Sequence, residues 1–271
     1  MVSTYILIDT NLIGHPSKKP WVKRNRTPTW VKSLYTREAI TVSPILIDLE
    51  RAYICNKLDV VMDLVNAENP KLGISFIESE MDFEQVKQHF SKFIFIKTED
   101  DIELTLRFAD CLVLAELSKK LSAEQWSAIV SPLKSWKVHR RDGSLTSLPI
   151  KISEKKIPSP LILSDMQISN LKNSMGGYQL LVNLNNSWPN IIRNLSRDKS
   201  FEYAEKTREK WLAAGHVENI DLVWFLKYVF DSNGRLLQHP RLNKILSQKD
   251  PAIIRIELKI IMGEQWAKEN Q

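Results

Sequence analysis

Apolar runs of strand length dominate the first half of the chain. "TYILID" is apolar throughout, as expected for a strand that is buried on both faces. "IELTLRF" instead alternates apolar and polar residues, which is typical of a strand with one solvated face. The pattern predicts strands over 4–9, 71–79, 93–97 and 102–108, the last two as a hairpin, and a second hairpin over 135–150 that turns at Asp142-Gly143.

Apolar residues at helical spacing, with capping residues in front of them, predict the helices. Ser122 with Gln125, and Ser164 with Gln167, form capping-box patterns, and Asp250 followed by Pro251 is a typical helix start. In the first half of the chain, helices are predicted over 43–69 (in two pieces), after a cap formed by Ser79 with Asp82, over 111–120 with Asp110 as the cap, and after Ser122. In the second half, helices are predicted after Ser164, from Ser200 to Gly215, over 220–230 and from Pro251 onward.

The character of the chain changes near residue 151. Residues 151–163 are charged and contain prolines, which indicates a linker, and every strong signal after them is helical. The sequence therefore predicts an α+β protein. An α/β lobe with a mixed sheet (1–150) precedes the linker, and an all-helical lobe (164–271) follows it.

Composition narrows the class of protein. Of the 271 residues, 43% are hydrophobic, which is enough for a sizeable core, and no apolar run approaches the roughly 18 residues of a membrane span. The N-terminus has no positively charged segment ahead of its apolar run, so we expect no signal peptide and no membrane partner. Cys55 and Cys111 form no C-x-x-C motif, which favours two buried thiols in a reducing cytoplasm.

The net charge of +6 is unevenly placed, because residues 15–32 hold six Lys or Arg and no acid. Tryptophans are interleaved with these cations. Such a segment is either a partner-binding surface built on Trp21, Arg24, Arg26 and Trp30, or a solvated loop that its tryptophans pin to the body of the protein.

The sequence contains one short candidate for a catalytic motif. The chain has no G-x-S-x-G, no P-loop, no G-x-G-x-x-G and no zinc-type His/Cys spacing, and we expect no cofactor and no metal. "ILIDTNLIG" nevertheless resembles the opening of PIN-domain nucleases, which would make Asp9, Glu50 and Asp110 ligands of a divalent metal. Pro16, Pro20 and Pro28 interrupt the helix that this hypothesis requires after "DTN".

Five stretches resemble a different family over most of residues 4–246. They are "TYILIDTNL"; "SLYT" with "VSPILIDL"; "GISFIES" with "FEQVKQHFSKFIFIK"; "LTLRFADCLVLAELSKKLSAEQWSAIVSPLKSWKVHRRDG"; and "AAGHVENIDLVWFLKYVFDSNGRLLQHPRLNKIL". The sequence is similar to the type VI secretion effector adaptors, also called effector chaperones or Tap/TEC proteins (the DUF4123 family). It departs from them in the long basic segment 15–32 and in "DTN", where the family usually has small residues.

The resemblance implies a binding function without catalysis. Such an adaptor binds one toxic effector in the bacterial cytoplasm, helps to load it onto the VgrG spike and stays behind when the spike is fired. The expected partners are therefore an effector and VgrG, with nucleic acid an unlikely partner. A PIN-like ribonuclease and a non-catalytic nucleic-acid-binding protein are the alternatives.

Five further side chains receive expected roles. Asp9 is expected to be structural and to cap the turn after the first strand. Asp110 is expected to cap the helix 111–120, and Arg107 to form a structural ion pair, with Glu103 as its neighbour on the same strand face. Trp224 and Phe225 are candidates for partner binding, although "LVWFLKYVF" is apolar nearly all round and is equally typical of a core helix.

Overall fold

The computed structural model describes residues 1–10, 12, 28–35, 43–66, 71–153, 157, 159–192 and 195–269, the last with side chains to residue 263. The described chain divides into two compact units, Met1–Lys172 and Asn173–Gln271, called here the N-terminal unit and the helical unit. The α+β class predicted from the sequence is confirmed, with strands in the first part and helices in the second.

The N-terminal unit contains two sheets. Its strands are β1 (Ser3–Ile8), β2 (Val31–Ser33), β3 (Ile45–Asp48), β4 (Ile74–Ser79), β5 (Phe95–Thr98), β6 (Glu103–Thr105), β7 (Leu133–His139), β8 (Leu145–Ser147) and β9 (Leu161–Leu163). The larger sheet is antiparallel, in the order β2-β3-β1-β4-β7-β8, and the smaller one has the order β6-β5-β9 with β5 and β9 parallel. Both predicted hairpins are confirmed as β5–β6 and β7–β8.

Helices separate and follow these strands. In the N-terminal unit they are α1 (Leu49–Ile54), α2 (Leu58–Asn66), α3 (Phe83–Ser91), α4 (Cys111–Lys120), α5 (Ala123–Val130) and α6 (Asp165–Ser174), which ends just inside the helical unit. The helical unit continues with α7 (Gly176–Ser187), α8 (Arg197–Ala213), α9 (Ile220–Asp231), a 3₁₀ turn (Arg235–Gln238), α10 (Leu242–Leu246) and α11 (Pro251–Glu269).

Burial on both faces explains why β1 is apolar without alternation. Tyr5 and Leu7 point into a large core formed with α3, α4, α5 and the Trp126–Trp136 pair, whereas Ile6 and Ile8 point into a second core with α2. Successive strand residues face opposite sides of a sheet, so a strand between two cores needs apolar residues at every position.

Three local predictions were wrong. Residues 45–48 form β3 rather than helix, because this short run of Ile and Leu after Pro44 pairs with β1, and Asp48 then caps α1. The cap of α3 is Asp82 in a capping box with Gln85, not Ser79, which lies at the end of β4. Helix α8 begins after Ser196, four residues before the predicted Ser200.

Other predictions of helix ends were confirmed. Asp110 caps α4, and Ser122 caps α5 in a capping box with Gln125. Ser164 and Gln167 exchange hydrogen bonds at the start of α6. Residue 215 has the left-handed backbone, φ +87°, that favours the predicted glycine after α8.

The predicted linker 151–163 includes β9, which pairs with β5 inside the N-terminal unit. The unit boundary lies at Lys172, within α6. A three-residue strand such as "LIL" carries no periodicity of its own, so only its pairing with β5 identifies it.

The two cysteines differ in their surroundings, contrary to the expected pair of buried thiols. Cys111 is buried at the start of α4, and burial raises its pKa to about 12. Cys55 is exposed at the end of α1. No helix within the described residues is long and apolar enough to cross a membrane.

Candidate functional site

A buried charge cluster joins three elements of the N-terminal unit. Asp9 follows β1, Arg107 follows β6, and Asp110 precedes α4. One guanidinium nitrogen (NH2) of Arg107 donates to Oδ2 of Asp9 at 2.9 Å and lies 3.5 Å from Oδ2 of Asp110. The Asp9 and Asp110 side chains are 3% and 1% exposed, whereas that of Arg107 is 44% exposed. The Arg107 guanidinium thus contacts two carboxylates that are almost fully removed from water.

Besides its contact with Arg107, Asp110 caps a helix. Its Oδ1 accepts a hydrogen bond from the main-chain N–H of Leu112 at 2.9 Å and so caps α4. Burial nevertheless raises the pKa of the Asp110 carboxyl to about 6, even though Arg107 and the capping bond favour its ionised form. Desolvation, with a smaller contribution from the charge of Asp9, therefore outweighs Arg107 and the main-chain N–H groups of Leu112 and Val113.

Main-chain hydrogen bonds fix the backbone around the charge cluster. The N–H of Asp9 donates to the carbonyl of Gly73, and that of Cys111 donates to the carbonyl of Leu72, both at 2.8 Å. A Cβ atom at Gly73 would lie 2.9 Å from Cβ of Leu12 and 3.2 Å from the carbonyl oxygen of Asp9. The end of β1 and the start of α4 are therefore tied to one tight turn before β4.

The geometry does not assemble the three predicted metal ligands. Asp9 and Asp110 come together, but Arg107 lies between them, and Glu50 is exposed on α1. Within the part of the chain that is described, no three His, Cys, Asp or Glu side chains are grouped so that they could hold a metal ion. Arg107 pairs with Asp9 and Asp110. It lies beyond the end of β6, so the expected strand face shared with Glu103 is not formed.

Three histidines contact main-chain carbonyl groups. Nε2 of His89 lies 2.7 Å from the carbonyl oxygen of Ile129, and Nδ1 of His139 lies 2.8 Å from that of Ile74. His216 makes the same kind of contact with Leu246. Because a carbonyl oxygen can only accept, each of these ring nitrogens carries the hydrogen. Burial lowers the pKa of His89 and favours its neutral form.

The predicted partner-binding residues of the basic segment fall into two groups. Trp21, Arg24 and Arg26 lie outside the described residues. Trp30 is only 6% exposed and packs in the second core of the N-terminal unit. Trp30 therefore follows the alternative in which a tryptophan pins the segment to the body of the protein.

Trp224 lies in a half-buried group of rings on the helical unit, called here the aromatic cluster: Trp188, Trp224 and Tyr228. Trp188 meets Trp224 edge to face, with ring centroids 4.6 Å apart, and Tyr228 follows at 6.3 Å from Trp224. The guanidinium carbon of Arg255 lies 5.0 Å from the centre of the Trp224 ring, and Arg255 also pairs with Asp221. Trp, Tyr and Arg are the residues most enriched at binding hot spots.

Phe225, the neighbour of Trp224, is fully buried and packs against Trp211 at 6.2 Å between ring centroids. It therefore belongs to the core, the alternative that the apolar pattern left open. Trp188, Tyr228 and Arg255 were not predicted as binding residues from the sequence. The spacing of Trp224 and Tyr228, four residues apart on one helix face, was the signal that could have found part of the cluster.

Comparison with known families gives one match. A family model described as a domain of unknown function (DUF4123) matches residues 4–128. This range runs from β1 into α5 and contains all three residues of the charge cluster. No curated protein and no solved structure matches the chain.

Proposed function

We propose that this protein is a non-catalytic adaptor of a bacterial type VI secretion system. It binds a toxic effector in the cytoplasm and loads it onto the VgrG spike. The observation that carries the proposal is the DUF4123 match over residues 4–128, because it is the family that the motifs resemble. The resemblance continues beyond the matched range, into "AAGHVENIDLVWFLKYVFDSNGRLLQHPRLNKIL" of the helical unit.

The charge cluster has a structural role in the N-terminal unit. The step Arg107-Phe108-Ala109-Asp110 is part of the stretch with the closest resemblance to the family. In the structure, Arg107 and Asp110 hold β1, β6 and α4 together, and Phe108 packs in the large core. These residues therefore have sufficient structural reasons to be present without any catalytic role.

The helical unit supplies a surface suited to a protein partner. The aromatic cluster is half-buried, so it is held in place by the core and still offers ring surface to a partner. Arg255 and Lys227 add cations beside these rings, with Lys227 5.9 Å from the centre of the Trp188 ring. Aromatic rings with flanking cations are a combination that binds peptides and protein surfaces well.

The test is affinity capture of the tagged full-length protein from the bacterium that encodes it, followed by mass spectrometry. We expect a VgrG protein and one large toxin, encoded beside each other, in the captured material. Recovery of RNA or ribosomal proteins without any spike component would refute the adaptor function. It would make Asp9, Glu50 and Asp110 the next positions to mutate in a nuclease assay.

Variants connect the capture to the aromatic cluster. Trp224→Ala and Arg255→Gln are each expected to weaken the affinity for the captured partner about thirtyfold, which corresponds to a hot-spot loss of roughly 2 kcal/mol. Arg235→Gln is the matched control, an exposed arginine of the same unit outside the cluster. Equal losses in all three variants, or none in any, would remove the aromatic cluster from the proposal.

A further inference from the structure

The helical unit contains an open groove of about 430 Å³ between α7 and the beginning of α9. Leu180 and Leu222, which are 4% and 1% exposed, form its apolar floor. Its volume lies within the range of about 300–1,000 Å³ that is typical of ligand sites. The groove is separate in its lining residues from the aromatic cluster.

Primary amides line the α7 wall of this groove. Gln179, Asn183 and Asn186 lie four and three residues apart, so they share one face of the helix. With a rise of 1.5 Å per residue, they are spaced roughly 6 Å and 4.5 Å along the helix axis. Asn219 contributes a fourth amide from the opposite side.

Each amide can both donate and accept, as a peptide group does. The side-chain N–H of Gln179 donates to Oδ1 of Asn183 at 3.0 Å, which directs one donor and one acceptor toward each other. A ligand would then meet the carbonyl oxygen of Gln179 and the amino group of Asn183. Oδ1 of Asn219 caps α9 by accepting from the N–H of Asp221 at 3.0 Å, so its amino group is the part that a ligand would meet.

The hydrogen-bonding groups of the two amides suit an extended polypeptide. An extended residue presents its N–H and its C=O on the same edge of the chain. The carbonyl oxygen of Gln179 and the amino group of Asn183 are one acceptor and one donor, so together they match one such residue. Such contacts do not require a particular side chain on the ligand, because its main chain supplies both donors and acceptors.

The charges around the groove balance, which favours an uncharged ligand such as a polypeptide main chain. Glu218 lines the groove, but Arg208 pairs with it directly. Arg208 is itself seated against Gly176, where any Cβ atom would collide with its guanidinium group. The carboxylate is therefore neutralised and held in place, and the remaining polar groups that line the groove are amides and one hydroxyl.

We propose that this groove binds an extended polypeptide segment through its main chain, using Gln179, Asn183 and Asn186. In the adaptor function proposed above, on which this identification of the partner rests, the segment belongs to the effector. The binding of the segment itself is tested without an effector or VgrG, so failure of either proposal can be told apart from failure of the other.

The experiment selects peptides from a random 12-residue phage-display library on the immobilised full-length protein. The best peptides are then synthesised, and their affinities are measured by fluorescence polarisation. Asn183→Leu is expected to weaken them about tenfold, the loss of one or two hydrogen bonds together with burial of unmatched polar groups. Asn185→Leu is the matched control, because Asn185 is exposed on α7 but does not line the groove.

A second measurement addresses the main chain directly. Alternate peptide groups of the best peptide are N-methylated, in one series at odd positions and in another at even positions. One series should lose binding and the other should keep it, because only one edge of the peptide faces the groove. Asn183→Ala, with a circular dichroism check of folding, repeats the test without a larger side chain. Failure to select any peptide, equal affinity for Asn183→Leu and wild type, or insensitivity to N-methylation would overturn the proposal, as would Asn183-dependent binding of oligosaccharides in place of peptides.

Discussion

At the scale of single residues, the Asp110 carboxylate combines two opposing contributions. It caps α4 and faces Arg107, yet its Oδ2 accepts no hydrogen bond from any described residue and is shielded from water. Losing an N-cap costs about 1 kcal/mol, whereas burying a poorly paired charge costs more. The capping role could be predicted from the sequence, but the cost of burial depends on Asp9, Arg107 and the surrounding core.

Replacing Asp110 with Asn should change how the free energy of unfolding depends on pH. The folded-state pKa of Asp110 is raised from 3.8 to about 6, so between these values the folded protein binds a proton that the unfolded chain releases. Wild type should therefore gain stability as the pH falls, by about 2 kcal/mol between pH 7 and pH 4.5 relative to Asp110→Asn. Urea unfolding followed by tryptophan fluorescence measures both free energies.

The control for this measurement is Asp82→Asn, which changes the exposed N-cap of α3 in the same way. A difference between wild type and Asp110→Asn that is the same at pH 7 and pH 4.5 would contradict the assignment of the raised pKa to burial. Among the described residues, the charged or titratable neighbours in this region include Asp9, Arg107, Cys111 and Tyr35.

Arg107 should contribute more to stability than an ordinary surface arginine. Arg107→Ala removes a cation that contacts two buried carboxylates, and we expect a loss of roughly 2–4 kcal/mol in the free energy of unfolding. The expected loss is somewhat below that of a fully buried pair, because the Arg107 side chain is 44% exposed. Arg140→Ala, at an exposed position, should cost less than about 1 kcal/mol in the same urea titration. Similar losses in the free energy of unfolding for the two variants would mean that the charge cluster does not stabilise the fold.

At the scale of elements, glycines after helices α8 and α9 test how closely the helical unit is packed. Gly215 and Gly234 both have left-handed backbones, with φ of +87° and +82°. A Cβ atom at Gly215 would meet no atom within 4 Å, whereas one at Gly234 would lie 2.5 Å from ring carbons of Tyr203. The hydroxyl of that tyrosine donates to the carbonyl of Asn233 at 2.6 Å, so the ring cannot easily move away.

Gly215→Ala should cost about 1 kcal/mol, the strain of a left-handed alanine. Gly234→Ala should cost roughly 2–4 kcal/mol, because the same strain is joined by a collision with a fixed ring. Thermal unfolding by circular dichroism should therefore give a clearly lower Tm for Gly234→Ala. Equal melting temperatures would show that Tyr203 adapts, and that the end of α9 is less tightly packed than the structure indicates.

At the scale of the whole molecule, each unit has its own buried aromatic residues. Trp136 is fully buried in the large core of the N-terminal unit, and Phe225 is fully buried in the helical unit. Units with separate cores can open separately, each with its own free energy. We therefore expect the two units to open independently of each other.

Hydrogen exchange measured by mass spectrometry can test this independence. Phe225→Ala removes a buried ring at a cost of about 3–5 kcal/mol, and faster exchange is expected within 173–271 while β1 and β4 keep their protection. Trp136→Ala is the reciprocal control, with faster exchange in 1–172. A uniform loss of protection along the chain in either variant would show that the two units unfold as one.

Much of the fold could be predicted because it depends on short-range signals. The cap at Asp110, the capping box of Ser122 with Gln125 and the glycine after α8 each involve residues within one or two turns. The run "ILI" of β3 could not be distinguished from helix, since both elements use Ile and Leu when they are buried. Its pairing with β1 bridges residues about forty positions apart, which no local pattern contains.

The amino-acid sequence by itself determined the α+β class, most helix ends and the motifs that resemble the adaptor family, because these follow from periodicity, capping chemistry and the order of residues. Only the tertiary structure decided that Arg107 pairs with Asp9 and Asp110, that Trp30 and Phe225 are core residues, and that amides of α7 line a groove with Asn219. These properties depend on distances between residues far apart in the chain and on their exclusion from water. Both are set by packing, which brings such residues together only once the chain has folded.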